Sequence, residues 1–252
     1  MLDLSGTATL VTGASGGIGR GIALRFAEAG SAVAVHYRRD RAGAHAVVAQ
    51  IRDTGGAAAA FEADLSDDTA CRALVRAAEE WAGRLDALVN NAGIQPVEAL
   101  PGMSATSWRT MIETNVTSAF ACTQAAAEVM AGQGGGAVVH IASIEASQPA
   151  PGHAHYSAAK AALVMHARAA ALEYGPRGIR VNAVSPGLID RDGLDTDWPD
   201  GVQRWRDAAP LSRLGTPSDV GNACVFLASP LAAWITGHNL VVDGGVSTHP
   251  TW

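Results

Sequence analysis

Seven short apolar runs, Thr7 to Thr12, Ser31 to Tyr37, Ala57 to Glu62, Asp86 to Asn90, Ala137 to Ala142, Ile179 to Val184 and Asn239 to Val242, alternate with longer stretches whose apolar residues recur at helical spacing. Each of the six intervals is long enough for a crossover helix, which parallel neighbours require and hairpins do not. The pattern therefore predicts a doubly wound α/β fold, a parallel seven-stranded sheet with helices on both faces. No Pro- or Ser-rich linker divides the chain and no 20- to 50-residue period repeats along it, so residues 1–252 read as a single domain. The segment 187–214, rich in Asp and carrying Trp198 and Pro199, is too long for an ordinary connection and is a candidate substrate lid.

Directly after the first strand stands Thr12-Gly13-Ala14-Ser15-Gly16-Gly17-Ile18-Gly19, followed by a helical pattern that runs to Ala29 and stops at Gly30. Glycines there let backbone approach a pyrophosphate closely, and the positive end of the following helix favours its charge. Asp64 and Asn90-Asn91-Ala92-Gly93 fall just beyond the third and fourth strands, at the carboxyl edge where open parallel sheets bind ligands. Asp64 also suits a helix cap, and the two asparagines also suit a turn.

Tyr156 and Lys160 lie four residues apart on one helical stretch, so their polar ends can converge. A phenol beside an ammonium is drawn toward the working range of a general acid or base. The composition singles out the same position. Of the 18 basic residues only Lys160 is a lysine, against 17 arginines. Ser143 ends the fifth strand, and Asn115 sits inside the helical stretch Ser107 to Met130, where asparagine is a poor helix former and invites either a functional role or a satisfied buried amide.

TGxxxGIG, NNAG, the helix asparagine, the strand-end serine, YxxxK and Val184-Ser185-Pro186-Gly187 together resemble the short-chain dehydrogenase/reductase family, and the ending Val242-Asp243-Gly244-Gly245 is similar to its oxoacyl-reductase-like and glucose-dehydrogenase-like branch. The resemblance implies a Rossmann-type domain that transfers a hydride between C4 of a nicotinamide and a small carbonyl or secondary alcohol. It implies Tyr156 as proton donor or acceptor, Ser143 positioning the substrate oxygen, Lys160 lowering the Tyr156 pKa and Asn115 holding a relay water. It further places Gly13, Ser15, Gly17, Ile18, Gly19, Asp64, Leu65, Asn91, Ala92, Gly93, Pro186, Gly187 and Ile189 along the cofactor, with Tyr156 and Lys160 at its ribose.

After the second strand comes His36-Tyr37-Arg38-Arg39, with Tyr37 where a carboxylate would meet a ribose 2′-hydroxyl. Arg38 and Arg39 suit a 2′-phosphate, so NADP(H) is favoured over NAD(H), although Gly16 stands where many NADP-dependent relatives carry a basic residue. Glu145, Gln148, His153, His155 and Trp198 are the candidate pocket residues. His153 and His155 lack a third ligand nearby in sequence, so no metal is expected. An acidic balance, 24 carboxylates against 18 bases, argues against nucleic acid and anionic membrane as partners. The uncharged run 132–136 and the acidic lid favour a free small substrate; Arg177 and Arg180 keep a 3-oxoacyl-(carrier protein) reductase as the alternative, and a noncatalytic cofactor sensor as a remote one. Cys71, Cys122 and Cys224 read as buried hydrophobes. With no transmembrane run and no basic-then-apolar leader, the expected location is the cytoplasm. By the same resemblance the assembly is a homotetramer, and the tail 248–252 ending in Trp252 is a candidate for docking on a neighbouring subunit.

Overall fold

The computed structural model describes residues 2–248; Trp252, expected to dock on a neighbouring subunit, lies outside them. Seven strands, β1 (Ala8–Val11), β2 (Ala32–Tyr37), β3 (Ala58–Glu62), β4 (Ala87–Asn90), β5 (Gly136–Ile141), β6 (Ile179–Pro186) and β7 (Asn239–Val242), form one sheet. Their order is β3-β2-β1-β4-β5-β6-β7 and every pairing is parallel. Strand order reverses between β1 and β4, which opens a crevice at their carboxyl ends.

Successive strand residues feed two cores, as the two-residue period requires. Val11, Val33, Val35, Val89, Val139 and Val184 meet α1 (Gly17–Glu28), α2 (Arg41–Asp53) and α9 (Pro217–Ala228) on one face. Leu10, Ala34, Leu88, Val138 and Val181 meet α3 (Asp68–Ala82), α5 (Ser118–Gly132) and α6 (Ala154–Tyr174) on the other. The three cysteines are free and buried.

The stretch Ser107 to Met130 is not one helix. It begins earlier, as α4 (Ala105–Ile112) capped by Ser104, passes through a π-helical turn (Glu113–Thr117), and resumes as α5. The extra residue per turn is accommodated around Asn115, and such turns often mark functional sites. Strand β6 also runs two residues past its expected end: Pro186 pairs opposite Val242, where a residue without an N–H is tolerated as the last of its strand. Arg180 is turned inward and half-buried, its guanidinium donating to the carbonyls of Leu227, Ala228 and Ser229 at the end of α9. That use removes it from any docking surface.

Residues 187–214 carry α7 (Leu194–Asp197) and α8 (Pro199–Ala208), with Leu194, Val202 and Leu214 packed against Leu188 and Trp205 as a small core of their own. A bridge between Ile189 and Gly215 anchors the base of this excursion.

Candidate active site

At the β1 end the glycine loop is tied down on every side except the one facing the crevice. Gly13 has φ +63, and a Cβ there would stand 2.9 Å from Ala92 Cα, so no other residue fits without moving the β4 loop. A Cβ on Gly19 would meet Gly13 O at 2.2 Å and Asn91 Nδ2 at 2.5 Å. Thr12 Oγ1 accepts from the N–H groups of Asn91 (2.9 Å) and Ala92 (3.0 Å), while Asn91 Nδ2 donates to the carbonyls of Thr12 (2.9 Å) and Gly13 (3.0 Å). Asn91 thus spends its side chain bracing the loop.

The first turn of α1 lacks a side-chain cap. Its N-cap is Gly16, with no acceptor and no acidic residue, as in α5 and α6 but unlike α2, α3, α4 and α9, which are capped by Asp40, Asp67, Ser104 and Thr216. The initial N–H groups of α1 are therefore left without a side-chain partner, and nothing lies within 4 Å of a Cβ built on Gly16 or Gly17. Free donors, a helix dipole and open space are what a pyrophosphate needs, so the residues present fit a dinucleotide.

Sequence reading missed His36. Its buried imidazole accepts from Gly13 N at Nδ1 (2.9 Å), and its Nε2 faces Ala63 O at 3.1 Å, a pairing that requires the neutral ring with the proton on Nε2. Burial holds its pKa below the usual histidine range. The only available signal was a histidine near the end of an apolar strand.

At the adenosine end, Tyr37 donates to Glu62 Oε2 at 3.1 Å rather than facing the crevice. Asp64 is not the cap of α3; Asp67 is. Asp64 accepts from Ser66 N and Oγ, bonds that keep its carboxyl below the usual range, and lies 4.0 Å from Arg38. Arg38 and Arg39 are exposed.

The candidate catalytic residues converge beyond β4 and β5. A Cβ on Gly93 would stand 2.4 Å from Asn115 Oδ1 and 3.8 Å from Lys160 Nζ, so this one glycine marks where two of them meet. Asn115 clamps the backbone of Ile94, accepting from its N–H and donating to its carbonyl, both at 3.2 Å, and also donates to Met111 O at 3.1 Å. Lys160 Nζ donates to Ile141 O at 2.7 Å and stands 5.4 Å from the Tyr156 ring centroid. The ammonium is fully enclosed, and burial pulls its pKa from 10.5 to about 8.

Tyr156 behaves otherwise than the resemblance implies. Its pKa is pushed up to about 12, first by burial and then by the Glu145 carboxylate, with only the Ser143 hydroxyl pulling it down. Lys160 does not lower it in this arrangement, because its ammonium is turned to the Ile141 carbonyl. The phenol is therefore held protonated, ready to donate.

Beside this group Ser143 Oγ accepts from Glu145 N at 3.1 Å. Glu145 receives Gln95 Nε2 (3.1 Å), Ser157 Oγ (3.2 Å) and His153 Nδ1, the last shared between its oxygens at 3.0 and 3.1 Å. His155, by contrast, is fully buried with both ring nitrogens unpartnered among the described residues. Trp198, half exposed at the N-cap of α8, packs on Gly201 and beneath Arg204, and no described contact carries it to Ser143 or Tyr156. Gln148 instead donates to Ser247 O at 3.2 Å. Pro186, Gly187 and Ile189 lie at the carboxyl edge of β6, with Gly187 N bonded to Val242 O at 3.0 Å.

A glycine loop feeding an uncapped helix at the point of strand reversal, next to a serine, a tyrosine and a buried lysine, defines a nicotinamide-dinucleotide oxidoreductase with a Rossmann-type sheet. Comparison with known proteins agrees. The family model described as enoyl-(acyl carrier protein) reductase matches residues 13–247. Glucose 1-dehydrogenase 2 of Bacillus subtilis is 38% identical over 99% of this chain and 98% of its own length. The 3-oxoacyl-[acyl-carrier-protein] reductase of Staphylococcus aureus is 40% identical over 94% and 96%. A gluconate 5-dehydrogenase from Burkholderia cenocepacia, solved with NADP and tartrate, superposes with a TM-score of 0.91 at 30% identity, over 98% of each chain. The chain belongs to the short-chain dehydrogenase/reductase family, NAD(P)-dependent oxidoreductases that act on alcohol and carbonyl groups.

Proposed function

We propose that this chain reduces a small ketone or aldehyde at the expense of NADPH, with Tyr156 as the proton donor. The observation that carries this reading is a chain of neighbours, Ser143 beside Tyr156, Tyr156 beside Lys160, and Lys160 with Asn115 at Gly93, at the same sheet edge as the uncapped helix. The cofactor supplies a hydride at the nicotinamide. Charge that develops on the substrate oxygen is met by the Ser143 and Tyr156 hydroxyls, both within a largely enclosed site. A phenol held near 12 is fully protonated at neutral pH, which suits donation to an oxygen in the reducing direction. Lys160, compact and buried, would hydrogen-bond ribose hydroxyls and return a proton to Tyr156 once its ammonium turns from Ile141 O, and Asn115 holds the backbone beyond β4 against which both work.

Arg38 and Arg39 are the groups that would hold a 2′-phosphate, since Tyr37 leaves no carboxylate to repel it; Asp64 competes for Arg38 at 4.0 Å. Residues 187–214 serve as the lid over the substrate. A free substrate is preferred to a carrier-bound one because Arg180 is consumed internally. Phe120, Met165 and Leu172 on α5 and α6, and Trp234 and Val241 around β7, are exposed apolar side chains that support a homotetramer built on those faces. The free cysteines suit a reducing compartment such as the cytoplasm, and among the described residues no helix is long and apolar enough to cross a membrane.

Titrating the protein with NADPH and with NADH, then following cofactor absorbance with a panel of ketones, sugars and oxoacyl thioesters, tests the reading. Tighter NADPH binding with turnover of free ketones supports it; tighter NADH binding, or turnover confined to thioesters, overturns it.

A further inference from the structure

Two residues beyond Ser143, the chain places a carboxylate where an ordinary ketone has no use for one. Glu145 keeps only 14% of its side-chain exposure, and its position is fixed twice: its own N–H is held by Ser143 Oγ, and its oxygens accept from Gln95, Ser157 and His153. An ionised carboxylate accepts about four hydrogen bonds, so these donors nearly saturate it. Its work is to orient its neighbours. With Nδ1 directed at both Glu145 oxygens, the neutral form of the His153 ring carries its proton on that nitrogen and offers a lone pair at Nε2. That Nε2 has no partner among the described residues, although the side chain is only 17% exposed. The ring stands edge-on to Tyr156, 6.1 Å between centroids.

We propose, resting on the ketone-reducing reading above, that the Glu145–His153 pair is a subsite for a hydroxyl on the carbon next to the reacting one, making α-hydroxy ketones and the corresponding vicinal diols the substrate class. A carbonyl oxygen engaged by the Ser143 and Tyr156 hydroxyls brings its adjacent substituent to the imidazole beside Tyr156. An acceptor at that point calls for a donor. A hydroxyl supplies one, whereas a substituent without a polar hydrogen leaves Nε2 and its carboxylate partner desolvated and unmatched. An ammonium donor is disfavoured because the buried Lys160 already places a cation 5.4 Å from the neighbouring Tyr156 ring.

The test compares kcat/KM for two matched pairs, butan-2-one with 3-hydroxybutan-2-one and cyclohexanone with 2-hydroxycyclohexanone, using the cofactor that binds more tightly. The hydroxylated member of each pair is expected to be preferred by about 10- to 100-fold. His153→Phe keeps a ring but removes the acceptor and brings the ratio toward one, and His153→Gln, which retains an acceptor, restores part of it. Equal kcat/KM within both pairs in the parent protein overturns the subsite and leaves the ketone-reducing reading standing. A preference that survives His153→Phe also overturns it, since the hydroxyl is then read elsewhere. Absence of turnover with all four ketones, cofactor binding being intact, overturns both.

Discussion

Replacing Lys160 by methionine is expected to stabilise the fold while ending turnover, because the ammonium is retained at a net energetic cost. Burial lowers the Lys160 pKa from 10.5 to about 8, and at about 1.4 kcal/mol per tenfold change in proton affinity the charged form is disfavoured by about 3 kcal/mol at pH 7. Methionine matches the length of the stem and removes that cost. It also removes the charged hydrogen bond to Ile141 O, worth about 1.5–3 kcal/mol. The balance is a gain of about 1 kcal/mol, or roughly 2–4 °C in Tm for a chain of this size. The sign depends on pH in a way that isolates the cause. The folded-state pKa lies below the unfolded one, so the destabilisation is fully present below about 8 and fades as pH rises from there toward 10.5. Calorimetry of both proteins at pH 7 and pH 9.5 should therefore show the advantage of Lys160→Met at the lower pH and its narrowing at the higher. A variant several degrees less stable than the parent at pH 7 would refute the reasoning and make the lysine a structural residue.

Two further substitutions probe the site's supports. His36→Phe removes the acceptor for Gly13 N, leaving a buried N–H unpaired at a cost of about 1–3 kcal/mol; cofactor Kd measured by fluorescence titration should rise by about tenfold or more, and an unchanged Kd would show that the loop holds its shape without the imidazole. Gly93→Ala drives a methyl into Asn115 Oδ1 and toward Lys160 Nζ, so kcat at saturating NADPH should fall by about tenfold or more, as read from steady-state kinetics; a parental kcat would show that the Asn115 clamp can shift freely.

The sheet was readable because each strand is a compact apolar run and each crossover has helical spacing; the seven strands appear within one or two residues of where the runs stand. The convergence of Tyr156 and Lys160 was equally legible, since four residues on a helix is a fixed geometry and Lys160 is compositionally alone. Other features depended on contacts between distant segments. The π-helical turn holds Asn115 where it bonds to Ile94, 21 residues away, a pairing that no local pattern encodes. His36 became part of the glycine loop through strand pairing, and Arg180 was diverted from the surface by the end of α9, 47 residues on. Trp198 looked like a pocket residue because it is large and sits in the lid, yet its ring is taken up by Gly201 and Arg204 of the same segment. The raised pKa of Tyr156 follows first from burial and then from Glu145, neither visible in the YxxxK spacing.

Tyr156 delivers the proton in the proposed reduction, with Ser143 sharing the charge on the substrate oxygen and Lys160 resupplying the phenol. Tyr156→Phe preserves the ring against His153 and Lys160 but removes the hydroxyl. Steady-state reduction of a ketone substrate by this variant, with cofactor Kd measured on the same preparation, should show kcat lowered by about 10²- to 10⁴-fold at an unchanged Kd. A kcat within about threefold of the parent, a margin of under 1 kcal/mol in the barrier, would contradict the account.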